Sequence, residues 1–172
     1  MKSNQTPRSS YTWARKAIHW AVLLLCVAQF PTGWAIANSH LGHVSLTQTA
    51  WSVFVHRSHA LIGTGVVVLA VAGVSLRLFQ GAILPPDFIA PAWMRYAATA
   101  THLMLYAILL ALSLTGFVAM YLSRVAAPVH VALTYLGLAV VAIHVAGALW
   151  HQFVFGDGTI TRILPRVSFW SR

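Results

Sequence analysis

Apolar residues fall into four long runs separated by short polar or proline-containing stretches. The runs extend from about residue 17 to 37, 53 to 79, 96 to 122 and 129 to 155. Each is long enough to form a helix of roughly 20 residues, which crosses the hydrocarbon core of a bilayer. The prolines between the second and third runs cannot continue a helix. The pattern predicts an all-α fold, an integral membrane four-helix bundle in a single domain.

Composition supports a membrane protein. Hydrophobic residues make up 59% of the chain and charged residues 8%, unlike an ordinary soluble domain. The run after Ile18 is too long for a signal peptide and contains Gln29 and Pro31, so it is interpreted as a first transmembrane helix. The net charge of +9 lies at the ends of apolar runs, not in a polar patch. Membrane lipid, not nucleic acid, is therefore the expected partner.

Lysine and arginine are distributed unequally between the two sides of the predicted bundle. One side carries nine of them: Lys2, Arg8, Arg15, Lys16, Arg77, Arg95, Arg162, Arg166 and Arg172. The other side carries two, Arg57 and Arg124. Cytoplasmic segments of membrane proteins are enriched in these residues. The asymmetry predicts a multi-pass protein with both termini in the cytoplasm.

Two histidines in the fourth run, His130 and His144, are fourteen residues apart. In an α-helix this spacing separates them by roughly 21 Å and returns them to nearly the same face. Ionisable residues at membrane depth are functional candidates by default. The predicted topology places His19 at the depth of His144, on the cytoplasmic side, and His59 at the depth of His130, on the outer side.

Each level of the bundle thus offers two imidazoles, the number that fills both axial positions of a haem iron. We predict two haem b groups stacked across the bilayer. His19 and His144 would bind the cytoplasmic-side haem, and His59 and His130 the outer haem. No C-x-x-C-H motif is present, so the haems would be held without covalent attachment. An iron with both positions filled is suited to one-electron transfer.

Some histidines compete for these roles. His56 lies one turn before His59 on roughly the same face, and His102 lies near the depth of His19. His40 and His43 belong to a polar connection and are expected to be solvated.

A quinone head group needs hydrogen-bond donors and a source of protons. On the cytoplasmic side, His102 and His151 are the main candidates for this role, with Arg77 or Arg95 as further donors. The alternative is that His102 and His151 only hydrogen-bond haem propionates. Gly63 and Gly137 are open to two interpretations, close approach of a porphyrin edge or ordinary close packing of helices.

Several segments together resemble the bacterial cytochrome b561 family. They cover about Tyr11 to Arg166 and comprise Arg-Lys-Ala-Ile-His-Trp ending at Trp20, His59 with Gly63 and Arg77, His102-Leu-Met-Leu-Tyr106, Leu114-Thr-Gly116, and His130, His144 and His151 followed by Asp157-Gly-Thr and Arg162-Ile-Leu-Pro165. The resemblance implies a di-haem four-helix fold with the same four ligands, in the bacterial inner membrane. It also implies electron transfer between a donor and the quinone pool.

Some members of the family that this chain resembles oxidise superoxide at the outer face and reduce ubiquinone. By resemblance, ubiquinone is the expected substrate of a quinone-linked oxidoreductase. The connection at residues 123–128 is shorter than in the superoxide-oxidising members, and the outer electron donor therefore stays open.

Two other functions are weighed against this one. The family fold also resembles the cytochrome b subunits of formate dehydrogenase and nickel-iron hydrogenase, which makes a membrane anchor of a larger periplasmic oxidoreductase the alternative. A haem-free metal or proton transporter lined by histidine is the third. It is disfavoured because the two acidic residues, Asp87 and Asp157, lie outside the apolar runs.

Overall fold

The computed structural model describes residues 11–41, 50–80, 92–156 and 158–164 of the chain, without the side chains at 39–41, 50 and 92. The expectations for the side chain of His40, for His43, for the proline-containing connection and for Asp87 and Asp157 lie outside the described residues.

Four long helices and one short helix form the described part of the chain. They are α1 (Trp13–Leu41), α2 (Ala50–Gln80), α3 (Ala92–Phe117), α4 (Ala127–Trp150) and α5 (Thr159–Ile163). A π-helical turn, Val118–Leu122, and a 3₁₀ turn, Arg124–Ala126, join α3 to α4, and a second π-helical turn, His151–Phe155, follows α4. Four segments are long and apolar enough to cross a membrane. The predicted all-α, four-helix membrane fold is thereby confirmed.

Neighbouring helices run antiparallel. Thr32 of α1 contacts His59 of α2, while Arg15 near the start of α1 contacts Leu76 near the end of α2. The α3–α4 pair has the same arrangement, because Thr115 lies against His130. Helices α1 and α3 begin at one end of the bundle, which we call the terminal end. Helices α2 and α4 begin at the opposite end, which we call the distal end.

The bundle exposes apolar side chains and buries few of them. Leu24, Val68 and Ile143 in the middle of three helices are 66%, 60% and 61% exposed. A surface of this kind suits lipid tails, not water. The buried apolar core consists of Val55, Val66, Ala70, Ile108 and Val140. All but Val55 lie between the two levels at which the predicted histidine ligands occur.

Basic residues of α1 bind helix-end carbonyls at the terminal end. Arg15 donates from Nε to the side-chain oxygen of Gln80 at 3.1 Å and from a terminal guanidinium nitrogen to the backbone oxygen of Leu76 at 3.0 Å. Leu76 and Gln80 both lie near the C-terminal end of α2. A cation there also interacts favourably with the helix dipole.

The short helix α5 is fastened to α1 in the same manner. Lys16, only 9% exposed, donates from Nζ to the backbone oxygen of Leu164 at 2.9 Å. The indole nitrogen of Trp20 donates to the backbone oxygen of Ile163 at 3.0 Å. Burying the ammonium is tolerable because it is hydrogen-bonded. The result is a clasp between α1 and α5.

Two glycines make the turn that brings α5 back to the bundle. Gly156 and Gly158 have φ values of 63° and 68°, in the left-handed region that residues with a Cβ rarely adopt. At the start of α5, the backbone N–H of Ile160 donates to the side-chain oxygen of Gln152 at 3.1 Å. This bond supplies an acceptor for one of the free N–H groups of the first turn.

Candidate functional site

The distal end holds a pair of imidazoles on α2 and α4. The ring centres of His59 and His130 are 6.2 Å apart and the ring planes are inclined by 77°. Because α2 and α4 both begin at this end, residues near their starts share one level. The structure therefore brings together the two histidines that the sequence assigned to the outer level.

The terminal end holds a second pair on α1 and α4. The ring centres of His19 and His144 are 6.4 Å apart, with the planes inclined by 52°. Both pairs thus include one residue of α4, at positions fourteen residues apart.

The spacing of both pairs fits two axial ligands of one metal ion. Two imidazole nitrogens that bind a metal from opposite sides at about 2 Å place their ring centres roughly 6 Å apart. A third ring, that of His102, lies 5.0 Å from the ring of His144 at 82°, in an edge-to-face contact. This separation is shorter than trans ligation requires. His19 therefore fits the position opposite His144 better than His102 does.

Hydrogen bonds orient both imidazoles of the distal pair. Nδ1 of His59 lies 2.9 Å from Oγ1 of Thr32 on α1. Nδ1 of His130 lies 3.0 Å from the backbone oxygen of Leu112 and 3.2 Å from Oγ1 of Thr115, both on α3. With Nδ1 bound in this way, Nε2 is the nitrogen left to face a metal. Thr32 was not singled out from the sequence, and Thr115 occurs there only within the segment Leu114-Thr-Gly116 that carries the family resemblance.

His56, the competitor of His59, has a different setting. Its Nδ1 donates to the backbone oxygen of Ser52, one turn earlier on α2, at 2.7 Å. It is the ring of His59 that faces His130. The geometry therefore supports His59 over His56 as the partner of His130.

The two quinone-site candidates both occur at the terminal end. His102 donates from Nδ1 to the backbone oxygen of Ala98 on its own helix at 2.6 Å, and its ring contacts His144. His151 begins the π-helical turn after α4, and its ring centre lies 5.6 Å from that of Phe155. Such turns interrupt regular helices and occur frequently at functional sites.

The two glycines that the sequence left open contact side chains of neighbouring helices. A Cβ at Gly63 would lie 2.9 Å from the amide nitrogen of Gln29, and one at Gly137 would lie 3.2 Å from Cγ2 of Ile108. The Gln29 amide nitrogen also donates to the backbone oxygen of His59 at 3.2 Å. These contacts favour close helix packing as the role of both glycines.

Comparison with known proteins identifies the family. The sequence matches prokaryotic cytochrome b561 over residues 10–166. The chain belongs to this family. It is also similar to cytochrome b561 homolog 1 of Escherichia coli (strain K12), with 25% identity over 177 aligned residues that cover 87% of this chain and 93% of the relative. The resemblance noted in the sequence is confirmed.

Family membership gives the coarse function. A prokaryotic cytochrome b561 is a membrane protein that binds b-type haem and takes part in electron transfer. The multi-pass membrane fold agrees with this assignment. A haem-free transporter, the third possibility raised by the sequence, is not what the family indicates.

Proposed function

We propose that this protein is a di-haem b cytochrome that transfers electrons between a donor on the distal side and ubiquinone on the terminal side. The observation that carries the proposal is the presence of two imidazole pairs, 6.2 Å and 6.4 Å between ring centres, at opposite ends of one bundle. His59 and His130 would hold one haem, and His19 and His144 the other. Bound in this way, haem supplies one-electron oxidation and reduction.

The charge distribution supports an orientation with the terminal end in the cytoplasm of a bacterial inner membrane. Of the described cations, five belong to the terminal end: Arg15, Lys16, Arg77, Arg95 and Arg162. Arg57 and Arg124 belong to the distal end. The excess of positive charge marks the cytoplasmic side in most membrane proteins. The distal pair would then face the periplasm.

His102 and His151 are proposed to serve quinone chemistry at the terminal end. Reduction of a quinone to a quinol takes two electrons and two protons. His102 uses its Nδ1 proton in the bond to Ala98, which leaves Nε2 to accept a hydrogen bond from a quinol hydroxyl or, once protonated, to donate to a quinone oxygen. His151, beyond the end of α4, would exchange protons with water.

Superoxide is the proposed donor at the distal end. Two superoxide ions give up one electron each and become O₂, and these two electrons with two protons convert one quinone into one quinol. Arg57, which is exposed, and Arg124 carry positive charge that attracts an anion. The alternative donor is a periplasmic oxidoreductase that this chain anchors. The short α3–α4 connection, with a single 3₁₀ turn between Ser123 and Ala127, favours that alternative because a short connection covers little of the adjoining ends of α3 and α4.

The first test is the haem content of the purified protein. A reduced-minus-oxidised visible spectrum together with a pyridine haemochrome assay should give two haem b per chain. A ratio of one, or a colourless preparation from haem-replete cells, would reject the di-haem proposal.

The second test addresses the quinone site. Protein reduced with dithionite, after removal of the excess, is mixed with a short-chain ubiquinone, and haem oxidation is followed by stopped flow. His102→Gln and His151→Gln are expected to keep both haems and to oxidise more slowly. Removing a proton donor commonly lowers a rate by roughly 100-fold or more. His56→Gln, at the opposite end, is the control. Parental rates in both variants would move the quinone site elsewhere.

The third test distinguishes the donors. Oxidised protein is mixed anaerobically with superoxide from potassium superoxide, and haem reduction is recorded. Haem reduction that is slower in Arg124→Gln than in the parent protein supports superoxide as the donor. If no reduction occurs, the anchor role becomes the better proposal, and co-purification with a periplasmic oxidoreductase is the observation to seek.

A further inference from the structure

Each histidine of the distal pair lies against a Thr–Gly dipeptide of the preceding helix. Thr32 and Gly33 of α1 contact His59 of α2, and Thr115 and Gly116 of α3 contact His130 of α4. The two antiparallel hairpins, α1–α2 and α3–α4, thus repeat one arrangement. A threonine hydroxyl meets Nδ1 of the imidazole, and the next residue in the chain is a glycine beside the same ring.

The hydrogen-bond partners of His130 determine which ring nitrogen carries its proton. The backbone oxygen of Leu112 can only accept, and it lies 3.0 Å from Nδ1, so Nδ1 must be protonated. The hydroxyl of Thr115 donates its one proton to the backbone oxygen of Ala111 at 2.7 Å. It therefore meets Nδ1–H as a second acceptor, at 3.2 Å. Nε2 of His130 is left with its lone pair.

His59 has a comparable partner in Thr32. The Thr32 hydroxyl has backbone acceptors on its own helix, the oxygens of Gln29 at 3.0 Å and Ala28 at 3.3 Å. Because a hydroxyl donates only one proton, this leaves its oxygen free to accept from Nδ1–H of His59 at 2.9 Å. Among the described residues, Thr32 is the only hydrogen-bond partner of that nitrogen, whereas His130 has two.

Both glycines lie beside the histidine rings, and Gly116 lies closer to its ring than Gly33 does. A Cβ at Gly116 would lie 3.0 Å from Cε1 and 3.3 Å from Nδ1 of His130, and a Cβ at Gly33 would lie 3.4 Å from Cε1 of His59. The contact at Gly116 is closer than side chains normally pack. A side chain at residue 116 would therefore require the ring of His130 to shift, whereas the 3.4 Å distance at Gly33 is an ordinary van der Waals contact.

We propose that Thr32 and Thr115 are positioning residues that accept a hydrogen bond from Nδ1–H of the distal imidazoles, fix the orientation of the rings and thereby lower the reduction potential of the distal haem. The inference rests on the proposed di-haem function. When the ring nitrogen that does not bind the metal donates a hydrogen bond to an acceptor, the bond orients the imidazole and makes it a stronger electron donor to the metal. Stronger donation favours the ferric state, and hydrogen bonding around the site is one of the means by which proteins set haem potentials.

The two threonines should affect the reduction potential of the distal haem to different extents. Removal of the Thr32 hydroxyl leaves Nδ1–H of His59 without a described acceptor, whereas removal of the Thr115 hydroxyl leaves His130 with the oxygen of Leu112. The effect of Thr32→Val is therefore expected to exceed that of Thr115→Val. Thr32→Ser keeps the hydroxyl and should restore the parental behaviour.

The experiment is a redox titration of each purified variant, followed by visible spectroscopy and, for the oxidised form, by electron paramagnetic resonance. The distal haem is first assigned as the one missing in His130→Ala. In Thr32→Val the equilibrium constant for reduction of that haem should rise roughly tenfold. This is the lower end of the effects seen when a hydrogen-bond partner of a metal ligand is removed. A tenfold change corresponds to about 59 mV for a one-electron couple. The potential of the other haem should not move.

Thr64→Val is the matched control. Thr64 is also followed by glycine, but it is exposed, and its hydroxyl donates to Ala60 on its own helix at 2.9 Å. If Thr32→Val and Thr64→Val have the same distal potential, the inference is wrong. If Thr32→Val loses its distal haem, Thr32→Ser and Thr115→Val decide. A Thr32→Ser potential unlike the parent, or a Thr115→Val potential that does not rise at all, would overturn the proposal.

These outcomes differ from failure of the proposed function. A parental protein without two haems contradicts the di-haem proposal, and the threonine variants then have no distal haem to report on. Two haems with unchanged potentials in the threonine variants contradict only the role of Thr32 and Thr115.

Discussion

At the distal end, the paired imidazoles form hydrogen bonds with neighbouring helices, His59 with Thr32 on α1 and His130 with Leu112 and Thr115 on α3. At the terminal end, no hydrogen bond within the described part of the chain reaches the ring nitrogens of His19 or His144. The two pairs nevertheless have nearly the same ring separation, 6.2 Å and 6.4 Å. The two ends thus have nearly equal ring spacing, although within the described residues only the distal rings are hydrogen-bonded to neighbouring helices.

The polar side chains of the terminal end are used differently. Arg15, Lys16 and Trp20 bind carbonyls at the ends of α2 and α5, and a third imidazole, His102, contacts His144 at 5.0 Å. Hydrogen bonds to neighbouring helices restrict the orientation of the distal rings, while His102 adds a third imidazole at the terminal end that is not one of the proposed haem ligands. The difference supports the proposal that the distal site accepts electrons and that the terminal site couples them to protons.

Removing the histidines one at a time should have the largest effect and tests the assignment of one imidazole pair to each end. His59→Ala or His130→Ala should remove the distal haem, and His19→Ala or His144→Ala the terminal haem, so that each variant keeps one haem per chain instead of two. Loss of a bound cofactor also removes its stabilisation of the folded state. Haem content and midpoint potential identify which haem remains.

His56→Ala serves as the control for this series and should keep two haems. If His56→Ala loses the distal haem while His59→Ala keeps it, the distal pair is wrongly assigned. If His102→Ala loses the terminal haem while His19→Ala keeps it, the terminal pair is wrongly assigned.

The levels of the histidines could be predicted from the sequence, whereas their partners could not. Depth depends on hydropathy and on the rise of one helix, so His130 and His144 can be placed without knowing how the helices pack. The contact of Thr32 with His59 depends on the register between two helices, which the pattern within either helix does not determine. The dipeptide itself is no guide, because Thr64–Gly65 also occurs and its threonine is exposed.

The surroundings of two other features likewise could not be predicted from the sequence. Gly63 and Gly137 are small residues in apolar runs, and nothing in the sequence shows that Gln29 and Ile108 lie opposite them. Lys16 counts in the sequence as one of many cations at a membrane boundary. In the structure it is buried beneath α5 and bound to a carbonyl.

A graded series of glycine substitutions sharpens the comparison. In Gly116→Ala the new methyl group would lie 3.0 Å from the His130 ring, in Gly33→Ala 3.4 Å from the His59 ring, and in Gly147→Ala it would meet nothing within 4 Å. We expect Gly116→Ala to weaken distal haem binding by roughly tenfold through displacement of its ligand, Gly33→Ala to have a smaller effect, and Gly147→Ala to have none. Transfer of haem to apomyoglobin measures the loss. Equal loss rates in all three variants would show that the distal rings are not tightly held.

The smallest expected effect concerns the clasp of the terminal end. Trp20→Phe keeps an aromatic ring beside His19 but removes the 3.0 Å bond from the indole to Ile163. A hydrogen bond of this kind contributes about 0.6 to 1 kcal/mol, so α5 should open roughly three- to fivefold more often. Limited trypsin digestion in nanodiscs, with mass spectrometry of the fragment ending at Arg162, measures that opening because cleavage follows the open population.

Both haems should keep their spectra, since the clasp binds helix ends and not ring nitrogens. Trp93→Phe, whose indole is 64% exposed, should digest like the parent. If Trp20→Phe shifts the spectrum of the terminal haem without faster cleavage at Arg162, the polar groups of this end hold the histidines after all, and the contrast between the two ends fails.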